Sequence, residues 1–330
     1  RGTRARSGWV RRVACVCVGT RALGSSRQDS PSFRNFWTAL QRAFMSKHIL
    51  VTGASSGIGL ALCKLLVRDH GCHVYLGARN AAKGEACLKE LLAEVPAAAG
   101  KIELLSLDVT DDASVAAAAA SLKAKSVTLY GLVNNAGVGL AQPGAPSGPE
   151  AVLATNLYGV KRVSEAFLPL LDPSAGRIVN TSSGAASAFV KTQDAPTKAL
   201  FSGEGLTMDT LEAAIQRCLA SGNVGWGNGY GLSKAALTAY TLIQARQHPG
   251  LTIASLSPGF IDTPMTRGFN ARLSPEQGCV SAIKCLFEPI TSGYYYGSDG
   301  LRSPLTMTRD PGMPEYQGEE DPQQATYNKP

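Results

Sequence analysis

The sequence predicts an α/β protein: a doubly wound parallel sheet in one domain, with a helical insertion. Three observations carry that expectation. Short apolar runs, suited to strands buried on both faces, alternate with helix-like stretches from residue 48 onward. The first run leads directly into a glycine-rich turn and then a helical pattern. Polar residues able to do chemistry cluster where these runs end, which is the edge at which open sheets bind ligands.

Apolar runs at 48–52, 73–78, 102–107, 129–134, 177–182 and 252–257, with a shorter one at 293–296, read as seven strands. Between them, 57–69, 80–95, 111–125, 149–171, 233–247 and 275–287 read as helices. The domain therefore spans 45–302. Segment 184–229 interrupts the alternation with a helix over 208–220. There Leu211, Ala214, Ile215, Cys218 and Leu219 form an apolar stripe that needs covering. Residues 303–330 hold five Pro and five acids without periodicity and read as a mobile tail.

Composition narrows the function classes. With 44% hydrophobic and 17% charged residues in a chain of 330, a sizeable core forms and wholesale disorder is excluded. Residues 1–44 carry nine Arg and one acid, Asp29, for a charge of +8 against +7 for the whole chain. The remainder is therefore at −1, which removes the case for a nucleic-acid-binding body. No apolar run approaches the roughly 18 residues of a membrane span. The eight Cys include no C-x2-C pair, which points to reduced thiols in an intracellular compartment and away from structural zinc. Residues 1–44 have two readings: upstream sequence read in frame before a start at Met45, or an Arg-rich organelle-targeting segment. The first places the protein in the cytoplasm and the second in an organelle.

The glycine turn reads Gly53-Ala54-Ser55-Ser56-Gly57-Ile58-Gly59. It allows a tight turn and close approach of backbone N–H groups to a pyrophosphate at a helix N-terminus. The second strand ends Ala78-Arg79, with no carboxylate to accept from a ribose 2′-hydroxyl. A planar guanidinium there suits a 2′-phosphate, so NADP(H) is expected rather than NAD(H). Asp108-Val109 and Asn134-Asn135-Ala136-Gly137 close the third and fourth strands at the same edge.

Tyr230-Gly231-Leu232-Ser233-Lys234 places a phenol and an ammonium one helical turn apart. Hydride delivery to a carbonyl leaves a developing alkoxide that needs a proton from a nearby acid. A phenol is poorly matched to neutral pH, and a neighbouring ammonium is expected to lower its pKa. The fifth strand ends Thr181-Ser182-Ser183, offering a hydroxyl to orient a substrate oxygen. Asn156 lies inside the 149–171 helix, where Asn is a poor choice. Ser257-Pro258-Gly259-Phe260-Ile261-Asp262-Thr263 follows the sixth strand.

In this order, over residues 47–300, the motifs resemble the short-chain dehydrogenase/reductase family, and its carbonyl reductase branch above all. Leu168-Pro169-Leu170-Leu171, Gly176-Arg177-Ile178-Val179-Asn180 and the 47 positions from Ser183 to Tyr230 carry the closer likeness. The resemblance implies a Rossmann-like sheet in the order 3-2-1-4-5-6-7. It implies that Asp108 and Val109 meet the adenine, while Asn135, Ala136 and Gly137 floor the cofactor cleft. Pro258, Gly259, Ile261 and Thr263 would reach the nicotinamide carboxamide and the pyrophosphate. It puts the orienting role on Ser183, the second serine, and a water relay on Asn156, with Tyr230 as acid and Lys234 as its partner. The turn departs from the Gly-Asn-Lys of animal carbonyl reductases, and Trp226-Gly227-Asn228-Gly229 is richer in glycine than usual. The expected function is an NADPH-dependent carbonyl reductase acting on a small ketone, aldehyde or quinone. An NADP-dependent alcohol dehydrogenase and a catalytically silent dinucleotide sensor are the alternatives. A monomer is expected, since the insertion emerges beside the helix through which many family members associate.

Overall fold

The computed structural model describes residues 46–139 and 148–318. The N-terminal extension 1–44 and the last part of the expected tail, 319–330, lie outside the described residues. Seven parallel strands form one sheet in the order β3-β2-β1-β4-β5-β6-β7. They are β1 His48–Val51, β2 His73–Ala78, β3 Ile102–Ser106, β4 Leu129–Asn134, β5 Arg177–Thr181, β6 Thr252–Leu256 and β7 Tyr295–Tyr296. Successive side chains of a strand point to opposite faces. Ile49 and Val51 accordingly enter one core with Leu62 and Leu66 of α1 (Gly57–Arg68), Leu91 of α2 (Ala81–Glu94) and Leu286 of α10 (Val280–Phe287). Leu50 enters the opposite core with Leu122 of α3 (Asp112–Ala124) and Phe167 of α5 (Val160–Phe167).

The helix expected over 149–171 is not continuous. It begins as α4 (Pro149–Leu153), makes one turn of π-helix over Ala154–Gly159, and resumes as α5. The insertion contains three helices where one was expected: α6 (Gly184–Lys191), α7 (Ala195–Phe201) and α8 (Met208–Ser221). Leu211, Ala214, Ile215 and Cys218 of α8 are buried in a third core with Leu232, Ala235, Ala236, Leu237, Ala239, Tyr240 and Ile243 of α9 (Tyr230–Gln247). The stripe is thus covered by the chain's own helix.

Residues 303–318 are not a loose tail. Ser303 N–H bonds Tyr295 O at 2.8 Å, Met307 is 1% exposed, and the Arg309 guanidinium bonds Asp299 at 2.7 Å. Composition favours disorder only where no side chain finds a partner, and here an ion pair and a buried methionine tie the segment down.

Candidate active site

The glycine turn is built for close approach. Gly53 and Gly57 have φ of 62° and 55°, values that L side chains rarely adopt. A Cβ on Gly53 would lie 2.7 Å from Ala136 Cα, and one on Gly59 would overlap the Asn135 amide. Thr52 Oγ1 accepts the N–H groups of Asn135 and Ala136, both at 3.0 Å, and so locks the β4 loop against the turn. Ser56 is the N-cap of α1, yet its hydroxyl does not bond back to the helix. The first turn of α1 therefore faces the cleft with its amides, a ready site for an anion.

A cleft of about 740 Å³ runs along the carboxyl edge of the sheet. Its lining joins Gly53, Ser55, Ser56, Gly57, Ile58 and Gly59 to Arg79, Asp108, Val109, Asn135, Ala136, Gly137, Tyr230, Lys234, Pro258 and Thr263. Lys83, on the first turn of α2, lines the same end as Arg79. These groups fit a dinucleotide with an extra phosphate: a Cβ-free cradle, open helix amides, and two cations where a 2′-phosphate would sit.

At the other end Tyr230 and Lys234 project from the first turn of α9. Lys234 Nζ donates to Thr181 O at 2.7 Å and lies 5.6 Å from the centroid of the Tyr230 ring. Lys234 is 4% exposed, and burial lowers its ammonium to about 8. Burial also pushes the Tyr230 phenol up, while a hydrogen bond with Ser183 works the other way. At the phenol of the cofactor-free chain, desolvation outweighs the hydrogen bond.

The serine pair divides. Ser182 is buried, donates to Lys234 O at 3.0 Å and shares a 2.6 Å bond with Thr238. Ser183 caps α6 and is the serine beside the Tyr230 phenol. Asn156, in the π turn, is fully buried. It donates to Val138 O and Ser233 Oγ and accepts from Val138 N–H, at 2.9 to 3.0 Å. A π turn often marks a functional position, since it redirects one helical residue.

The model of the short chain dehydrogenase family matches residues 47–208. A "Short-chain dehydrogenase/reductase 1" of Saponaria officinalis is 32% identical over 285 residues, covering 76% of this chain and 93% of that protein. The chain belongs to the short-chain dehydrogenase/reductase family. Human "Carbonyl reductase [NADPH] 1" is 31% identical over 251 residues, covering 71% of this chain and 88% of that protein. The solved structure of salutaridine reductase from Papaver somniferum superposes with a TM-score of 0.66 at 26% identity, covering 76% and 99% of the two chains.

As a short-chain dehydrogenase/reductase, the chain is an oxidoreductase acting on carbonyl and CH–OH groups. Not every residue expected at its site lines the cleft: Asn156, Ser183, Gly259 and Ile261 do not, whereas Ser182 does. Ile261 is 2% exposed and bridges to Leu273, and Gly259 backs onto Ser298 and Leu273. Their neighbours in sequence, Pro258 and Thr263, line the cleft. Lys83 went unnoticed in the sequence. The signal was there: it follows Arg79 by four positions, one turn into a helix capped by the Asn80 side chain.

Proposed function

We propose that this chain is an NADPH-dependent carbonyl reductase of the cytoplasm, reducing a small ketone, aldehyde or quinone. The observation that carries the reading is the juxtaposition of Tyr230 and Lys234 at one end of a cleft, with Ser183 hydrogen-bonded to the phenol, while the other end holds Arg79 and Lys83. The named NADPH carbonyl reductase among its relatives supports the choice of cofactor. The six cysteines among the described residues are all free thiols, in keeping with a reducing compartment.

Gly53, Ser55, Ser56, Gly57, Ile58 and Gly59 would hold the pyrophosphate, with Thr263 opposite. Arg79 and Lys83 take the 2′-phosphate, and Asp108, Val109, Asn135, Ala136 and Gly137 line the adenosine side. When bound, the reduced nicotinamide supplies hydride to the carbonyl carbon. Ser183 donates a hydrogen bond to the substrate oxygen and holds it against Tyr230. Tyr230 gives its phenolic proton to that oxygen as negative charge develops there, so an alcohol leaves and a phenolate remains. Lys234, fixed by the Thr181 carbonyl, stabilises the phenolate, and Asn156 supports the path by which its proton returns.

The test is NADPH oxidation over a panel of quinones, aldehydes and ketones with the full chain. Wild type should turn over at least one of them. Tyr230→Phe should lose turnover by about 10² or more while still binding NADPH, because only the proton donor is removed. Near wild-type turnover in Tyr230→Phe would refute the mechanism.

A further inference from the structure

Two exposed aromatic side chains meet between the last loop of the insertion and the segment after β6, close in sequence to Tyr230 and Arg267 of the cleft lining. Trp226 belongs to the last loop of the insertion, four residues before Tyr230. Its carbonyl accepts Gly231 N–H at 3.2 Å, so the loop is fastened to the first turn of α9. Phe269 belongs to the segment after β6 that also carries Thr263, Pro264, Met265 and Arg267 into the cleft lining. The two rings stand edge to face at 83° with centroids 6.2 Å apart.

Their environment is unusual for residues of this kind. Trp226 is 59% exposed and Phe269 42%, so each keeps much of its apolar surface in water although they touch. Phe260 and Leu273, on the same segment as Phe269, are 48% and 38% exposed. These are four of the five large hydrophobic side chains exposed among the described residues, gathered on the loop that precedes Tyr230 and the segment after β6. Exposed apolar surface concentrated in this way marks a binding surface. Both rings also sit in turns with left-handed backbone. Gly225, Gly227, Asn228 and Gly229 surround Trp226 with positive φ, and Gly268 and Asn270 flank Phe269 in the same way.

We propose that Trp226 and Phe269 form an aromatic gate that selects carbonyl substrates bearing a flat, apolar ring system. The proposal deepens the reductase reading above and rests on it. The occupant is a planar ring that replaces the edge-to-face contact by stacking on one or both rings, with its carbonyl directed to Ser183 and Tyr230. Aromatic pairs hold at centroid separations of 4.5 to 7 Å, so the present spacing needs only a small opening of the glycine-flanked turns. A small aliphatic carbonyl gains nothing from the gate, because it offers no face to stack. The gate therefore acts on choice among substrates.

Two probes with the same reactive 1,2-dicarbonyl group separate the effect of the ring: phenanthrenequinone, which is flat, and diacetyl, which has no ring. In the full chain with NADPH, Trp226→Ala should lower the ratio of kcat/KM for the quinone to that for diacetyl by about tenfold, mainly through KM. Phe269→Ala should do the same, and the double variant should fall short of the product of the two single losses, since the rings act as a pair. Trp226→Phe should restore most of the ratio. A ratio unchanged in both alanine variants would overturn the gate, and so would an equal loss on both probes. If wild type reduces neither probe nor any other carbonyl, the reductase reading falls. The gate is then still tested by quinone quenching of Trp226 emission, taken as wild type minus Trp226→Phe; no quenching overturns it.

Discussion

The absence of a side chain at Gly139 sets the position of the Tyr230 ring. A Cβ at residue 139 would lie within 3.1 Å of three carbons of that ring, and the φ of Gly139 is 154°. Gly139 lines the cleft, so the ring is held between this bare backbone and Ser183. Gly139→Ala must push the phenol away from the serine. Misplacing a reacting group by even an ångström costs up to about 10² in rate, so turnover should fall at least tenfold. NADPH oxidation by the purified variant, alongside a melting curve to show that it is folded, measures this; turnover within twofold of wild type would show that the ring is not so confined.

Lys234 makes the stability of the cofactor-free protein depend on alkaline pH. Its folded pKa of about 8 is below the ordinary value of 10.5. The folded state therefore sheds this proton before the unfolded state does. Below pH 8 both states carry the proton and the cost of the buried cation is fully present; it is relieved as pH rises from about 8 to 10.5. The shift corresponds to about 3 kcal/mol. In Lys234→Met that relief is absent. Urea unfolding midpoints of the two proteins from pH 7 to 10 should show wild type gaining relative to the variant. Parallel pH profiles would mean that the buried amine does not titrate in this range.

Cofactor choice should depend on Arg79 and Lys83 together. Both line the end of the cleft where no carboxylate follows β2. Arg79→Asp replaces a phosphate partner with a repelling charge and should lower kcat/KM for NADPH by about 10² while sparing NADH. Lys83→Ala removes the second cation and should raise the NADPH KM roughly threefold to tenfold, again with little change for NADH. Wild type that used NADH as efficiently as NADPH would contradict both assignments.

The strands were legible because they are short, apolar and buried on both faces: β2 and β4 begin and end at the residues the apolar runs predict. The cleft lining was legible for a related reason, since strand ends place their next residues at one edge. Features made by single contacts were not. No periodicity announces that Arg309 will pair with Asp299, so 303–318 reads as a tail. The π turn shows in the sequence only as an asparagine in a helix, because the extra residue it accommodates leaves the apolar spacing nearly unchanged. Helices α6 and α7, of eight and seven residues, are too short to establish a period. Their caps were nevertheless readable. Asp194 accepts from Thr197 N–H with Pro196 in the first turn, a helix-start signal that the sequence carries in full.

The insertion should keep the protein monomeric. A helix exposed on one face is the kind of surface through which copies of a chain associate, and α9 has no such face left: 14 of its 18 residues are buried. The cover is α8, whose Leu211, Ala214, Ile215 and Cys218 pack on it. Tyr158, within the π turn, fastens this cover by donating to the Glu212 carboxylate at 2.8 Å. Thr207 and Thr210 cap the start of α8, and Gly222 ends it in a left-handed conformation. At the β7 edge of the sheet, Tyr296 bridges to Arg302 in antiparallel fashion. Sedimentation of the full chain at micromolar concentration should therefore give the mass of one chain. Replacing 195–221 by a short Gly/Ser linker should uncover Leu232, Ala236 and Tyr240 and cause association or insolubility. Glu212→Gln, which weakens one fastening without uncovering the stripe, should stay monomeric. A stable dimer or tetramer of the intact chain would show that α8 leaves an association surface open.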